Sequence, residues 1–345
     1  MKRIFLIITA ILLYSSAFSQ AGYGVYQFLN LPMDARSVSL GGTNVMINDG
    51  DINLALNNPA LLSLETSNML TFNYANYITD INYASAAYAH YAGKSKKNII
   101  GFGVNYLDYG KFAGYTEEDN PTSTFTAKDI AVNLMYARIL PKGVTVGANL
   151  RPIFSFYELY SSFGMALDIG MNYHNDTALV DVGLVVKNIG GQFTGYYVDM
   201  NGQHREPLPI NLMFGISKKF KHAPFRLSFM MHNMQTWNLG YESSPIIDLE
   251  YNKQNNVNWA KMLFRHTIWA LEIFPHKNLT FTASFNPRRR AEMDIPDIKT
   301  IAGFAFGAAI KISKFNVGFS LTQYQKGAFS YNVTLSTNFS DFGLD

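Results

Sequence analysis

From residue 68 onward the chain alternates. Near its end Phe329, Tyr331, Val333, Leu335 and Phe339 are separated by Ser330, Asn332, Thr334, Ser336 and Asn338. Phe315, Val317, Phe319 and Leu321 alternate with Asn316, Gly318, Ser320 and Thr322, and Val144, Val146, Ala148 and Leu150 with Thr145, Gly147, Asn149 and Arg151. Only a strand sends successive side chains to opposite faces. The pattern predicts about 14 strands, over 68–77, 82–92, 97–109, 126–140, 143–157, 161–175, 178–189, 209–220, 224–236, 262–274, 278–287, 300–313, 315–324 and 328–339. The segments at 82–92 and 262–274 alternate poorly.

Strand length separates two all-β architectures. Strands of soluble proteins usually run about 5–6 residues, whereas a membrane strand needs about 9–11. Most of these segments reach ten. The connections sort in the same sense: the long excursions 110–125, 190–208, 237–261 and 288–299 all follow odd-numbered segments, and the turns after even-numbered ones are short. Short turns on one side and long loops on the other mark an outer-membrane barrel. The expected fold is therefore all-β, an antiparallel outer-membrane β-barrel spanning 68–345. The long loops are expected at the cell surface, and both mature termini in the periplasm.

Composition supports a large non-aqueous surface. Charged residues make up 15% of the 345 residues and aromatics 14%, against about 25% charged in ordinary soluble domains. The net charge of +3 is too mild to call for nucleic acid. Cysteine is absent, which excludes a disulfide framework, a thiolate zinc site and a thiol nucleophile. Lys2 and Arg3, the apolar run Ile4–Leu13, and Ala17 and Ser19 before Gln20 form a secretory-signal pattern. Residues 1–19 are expected to be removed on export.

Residues 20–67 hold no long alternating strand. A segment of mixed polarity ahead of a barrel is expected to plug its lumen. Gly41-Gly42 allows close backbone approach or positive φ, and Asn58-Pro59-Ala60 reads as a turn. The run from Tyr26 through Pro32, Ala35-Arg36 and Leu40-Gly41-Gly42, followed by Asn57-Asn58-Pro59-Ala60-Leu61, resembles the PorQ family of the Bacteroidetes type IX secretion system. More broadly it resembles the FadL-like barrels, the superfamily that includes the long-chain fatty-acid transporters and PorV. The resemblance implies a non-catalytic outer-membrane component of an attachment complex that anchors PorZ, with PorU and PorV in the same assembly, where cargo is joined to anionic lipopolysaccharide. The alternative it leaves open is a FadL-like transporter of hydrophobic small molecules, which would need an apolar pocket and a lateral or luminal exit.

No enzyme chemistry is legible. The histidines are scattered over different segments, without metal-ligand spacing. No phosphate-cradling glycine loop or nucleophile elbow occurs, and neither a cofactor nor a metal is expected. Two loop features are candidate partner or lipopolysaccharide contacts. Arg288-Arg289-Arg290 lies in one expected outer loop; guanidinium forks suit phosphate and carboxylate, and internal ion pairing of a solvated loop is the other reading. Trp237, Tyr241, Tyr251 and Trp259 lie in another, as a docking surface or as headgroup anchors. Arg151, Asp168, Asp181, Lys187 and Arg226 fall on the lumen face. They line a transport path or form a plug-to-wall ion network.

Overall fold

The computed structural model describes residues 24–116, 119–199, 202–239, 258–293, 300–325 and 328–343. The expected signal at 1–19 lies outside the described residues. Fourteen strands form one closed antiparallel barrel: β1 (Met69–Ile78), β2 (Ile81–Ala92), β3 (Asn98–Phe112), β4 (Phe125–Ile139), β5 (Val144–Tyr157), β6 (Tyr160–Asn175), β7 (Val180–Thr194), β8 (Asn211–Lys219), β9 (Phe225–Met231), β10 (Thr267–His276), β11 (Leu279–Phe285), β12 (Phe304–Ile312), β13 (Phe315–Gln325) and β14 (Ala328–Asn338). Each strand pairs with the next in sequence, and β14 closes on β1, Met69 facing Asn338 and Asn76 facing Tyr331. Turns after even-numbered strands are short, and the long excursions follow β3, β7, β9 and β11. The barrel therefore has a short-turn end, where β1 begins and β14 ends, and a long-loop end.

The alternation reads out as an inverted protein. Phe72 pairs with Leu335 and Tyr74 with Val333, and all four are 42–54% exposed on the outer face. Between them Thr71 faces Ser336 and Asn73 faces Thr334, buried toward the lumen. Closing the sheet leaves no open edge, and backbone groups pair between strands, as a hydrocarbon environment demands.

A core exists nonetheless, inside the barrel. Among the described residues, those ahead of β1 fold as four short helical turns: Gln27–Asn30, α1 (Ala35–Ser39), α2 (Ile52–Ala55) and Pro59–Leu61. Three are started by side-chain caps: Asp34 accepts from the Ser37 N–H, Asp51 from Asn53 and Asn58 from Ala60. Such caps satisfy the free N–H groups that open a helix. Leu29, Ile52, Leu54, Leu56, Leu61 and Leu62 of this segment are 0–1% exposed and cluster with wall residues Tyr83, Ala87, Ala89, Ile99, Leu107 and Met135. Each such burial is worth about 1.5–3 kcal/mol. The cluster also explains the weak alternation at 82–92: the inward face of β2 meets apolar plug residues rather than water.

Several expected boundaries move, each for a local reason. The strand placed at 262–274 starts only at Thr267. Trp259–Arg265 is instead a helix, α3, started by Asn258, whose side chain accepts from the Ala260 N–H. The strand placed at 224–236 stops at Met231, and Asn233 sits in the left-handed region at φ 54°. The strand placed at 278–287 ends at Phe285, because Asn286 caps a second loop helix, α4 (Pro287–Glu292), with Pro287 in its first turn. The strand placed at 300–313 begins at Phe304, after Gly303 at φ 90°. β7 runs past the expected 189 to Thr194, through register shifts against β6.

Candidate functional site

The seat of the plug is built from absent side chains. On the lumen face Gly147 of β5 lies opposite Gly170 of β6, and Gly183 of β7 opposite Gly215 of β8. A Cβ on Gly170 would stand 1.9 Å from Asn58 Oδ1, one on Gly147 2.5 Å from the Pro59 carbonyl carbon, and one on Gly183 1.9 Å from the Val45 carbonyl oxygen. These contacts leave no room for any side chain. Asn58 donates to the Val45 carbonyl at 2.7 Å while its Oδ1 caps the following turn. One amide thus joins both plug strips that rest on the glycines. Gly41, at φ 101°, is opposed by Ile268 at 2.3 Å from an added Cβ, and Gly42, at φ 112°, by the Arg289 guanidinium at 3.0 Å. The plug-motif residues Gly41, Gly42, Asn58, Pro59 and Ala60 are thereby brought onto the wall at several places, rather than into one chemical centre.

Buried charge ties plug to wall. Arg36 of α1 binds Asp49 at 2.6 Å, Asp51 at 3.2 Å and wall residue Glu272 at 3.0 Å. Arg226 on β9 binds the same Asp49 at 2.8 Å and Glu272 at 3.0 Å. Burial would raise the Asp49 carboxyl, but the Arg36 and Arg226 guanidiniums hold it well below the usual carboxylate range. Deeper in the wall Arg151 pairs with Asp168 at 2.6 Å, both fully buried. Asp181 is taken by His174 and by Ser217. Of the lumen-facing charges read from the sequence, Arg226 belongs to a plug-to-wall network, Arg151, Asp168 and Asp181 to wall pairs, and Lys187 to no ion pair among the described residues.

At the long-loop end the triple arginine splits. Arg288 pairs with Glu292 one turn later at 2.6 Å. Arg289 turns inward over the Tyr324 ring at 4.3 Å. Arg290 donates to the Thr300 carbonyl. Trp237 is 55% exposed and stacks on His266, and Trp259 opens α3 at 67% exposed. Tyr241 and Tyr251 lie outside the described residues. Burial, reinforced by Arg288, pushes the His232 imidazole down to about 3, so it is neutral near pH 7.

Three cavities bear on function. One of about 270 Å³ opens at the short-turn end beside Arg36, Asp49 and Lys277. One of about 140 Å³ lies at the long-loop end beside Gly42, Lys187 and Arg289. A third, about 590 Å³, is a groove outside the wall over β8–β12, between Ile216, Leu227, Phe229, Trp269, Phe285 and Phe306. It spans β9 and β11, strands of only seven residues each. Neither the groove nor the glycine seat could be read from sequence, since each assembles residues from strands far apart in the chain. The one available signal was the recurrence of glycine on polar faces.

The sequence matches no protein-family model and no curated protein. Among solved structures the chain is similar to a TodX monoaromatic hydrocarbon channel deltaS2 mutant, with a TM-score of 0.53 and 13% identity, covering 93% of this chain and 100% of that one. It is similar in the same degree to a TodX deltaS2S3 mutant monoaromatic hydrocarbon channel, with a TM-score of 0.53 and 14% identity, covering 89% and 99%. At such identities the likeness is one of fold. The fold is that of an outer-membrane β-barrel, closed, antiparallel and 14-stranded.

Proposed function

We propose that this barrel handles hydrophobic small molecules at the outer membrane, in the manner of a FadL-like transporter, with the plug as its closed gate. The observation that carries the reading is the apolar groove of about 590 Å³ on the wall over β8–β12. Pockets that take drug-sized ligands span about 300–1,000 Å³ and are mostly apolar. The two similar solved structures, described as monoaromatic hydrocarbon channels, support the same direction. On this reading the long loops face the cell exterior and both mature ends the periplasm.

A second reading rests on a different observation. The plug rests directly on Gly147, Gly170 and Gly183 of the wall, while Trp237 and Trp259 stand exposed at the long-loop end. A plugged barrel with aromatic outer loops suits an anchor. With the PorQ-like sequence, this supports a type IX attachment component that holds PorZ near PorU and PorV, with Arg288 and Trp259 within the docking end. The two similar hydrocarbon channels support the passage reading rather than this one.

One experiment separates them: affinity purification of the tagged full-length protein from its own outer membrane, with mass spectrometry of bound proteins and lipids. A solitary barrel carrying fatty acid or another hydrophobic small molecule is the expected result. Stoichiometric recovery of PorZ with PorU and PorV, and no bound small molecule, overturns it in favour of the anchor.

A further inference from the structure

The 140 Å³ cavity at the long-loop end is cationic. Lys187, Arg288 and Arg289 line it together with neutral His232 and amides such as Asn57 and Asn211, and among the described residues no carboxylate does. Lys187, on the lumen face of β7, is 3% exposed. Its hydrogen bond, to Asn57 Oδ1, is long at 3.5 Å. Arg289, seated on Tyr324, reaches Thr322 at 3.4 Å. Among the described residues neither Lys187 nor Arg289 has a carboxylate within salt-bridge distance; Asp168 of the neighbouring strand is taken by Arg151, and Arg288 by Glu292. His232 Nε2, 7% exposed as a residue, is buried without a hydrogen-bond partner and borders the same space.

Buried charges are ordinarily paired, because an unpaired ion loses its hydration without return. Here an ammonium and a guanidinium line one pocket with no carboxylate among the described residues to pair them. Low local dielectric makes the attraction for an anion larger than at a surface, and the guanidinium fork matches phosphate geometry. We propose that this cavity binds a phosphate-type oxyanion, with Lys187 as the point charge, Arg289 as the fork and Arg288 at the rim. Its volume falls below the roughly 300 Å³ at which pockets for drug-sized ligands begin, so it takes an anionic group rather than a hydrophobic cargo. The inference holds whether the barrel passes molecules or anchors a partner. The oxyanion is either free phosphate or the phosphate of a lipid headgroup.

The test uses the full-length protein, purified in detergent, delipidated and dialysed against labelled inorganic phosphate at low ionic strength. Saturable binding is expected, weakened about tenfold or more, as loss of a charge-assisted contact implies, in Arg289→Gln and in Lys187→Met. Folding of each variant is checked by the heat-dependent gel shift of a closed barrel. Arg289→Gln, at the cavity edge, keeps the test valid if Lys187→Met does not fold. Absence of saturable binding, or equal binding by wild type and a folded variant, overturns the proposal. Phosphorus analysis of the protein as extracted then assigns the source. Both results support the site: phosphorus released by dialysis is the free ion, and phosphorus removed only by lipid extraction is a headgroup.

Discussion

Single residues decide whether the interior closes. Gly170 is the sharpest case, since its missing Cβ is where Asn58 sits. Gly170→Val is expected to unseat the plug, because overpacking costs about 1–3 kcal/mol even where neighbours can shift and here the neighbour is a buried amide bonded to backbone. Limited proteolysis should cut within 24–67 in the variant and not in the wild type, with the barrel still heat-modifiable. An unchanged digest would show that the seat is slack. A second residue sets an acid limit. His232 is held down to about 3 in the fold, against about 6.5 in an unfolded chain. A depressed histidine costs nothing above 6.5, where both states are neutral. Below that value the unfolded form binds a proton that the folded form refuses, so stability is lost as pH falls from about 6.5 toward 3. Amide exchange in 232–239, corrected for intrinsic rates, should therefore rise between pH 7 and 4, and should rise less in His232→Gln.

At the scale of elements, shared carboxylates join plug to wall. Arg36 on α1 and Arg226 on β9 share Asp49 and Glu272. Glu272 is fully buried, so Arg36→Met removes one of the two guanidiniums that pair its single charge. Removing one partner of a buried pair typically costs about 3–5 kcal/mol; with Arg226 still in place the lower end is expected. The readout is the temperature of the gel shift, which should fall in Arg36→Met and partly recover in the double variant Arg36→Met with Glu272→Gln. The loop helices pose a different question. α3 and α4 begin at Asn258 and Asn286, whose side chains accept from Ala260 and Arg289. A period-two reading of 262–274 overlooked α3 because apolar residues at helical spacing and at strand spacing coincide over so short a run.

The whole molecule is two nested surfaces, an apolar exterior and an apolar plug, separated by a wall that is polar inward except where the plug touches it. Deleting 24–67 is expected to leave a barrel that still inserts but conducts ions in planar bilayers, where the intact protein stays closed. Equal conductance of the two would show that the segment is no gate. The passage reading requires the deletion to remain competent for a hydrophobic probe; the anchoring reading predicts no loss of partner recovery unless the long loops are altered as well.

The sequence by itself determined the wall. Period two, strand length and the alternation of short and long connections are local properties, so strand number, face and order of the barrel were legible from them, as were the departure of 20–67 from that pattern and the presence of Gly41-Gly42 and Asn58-Pro59-Ala60. Only the tertiary structure decided what fills the wall and where charge is left over. Gly170 meets Asn58 across 112 positions of chain, and Lys187 meets Asn57 across 130. No local pattern encodes a contact of that separation. Closure of the sheet sets those distances, so the glycine seat, the shared carboxylates of the latch and the cationic cavity exist only once the barrel is closed around its plug.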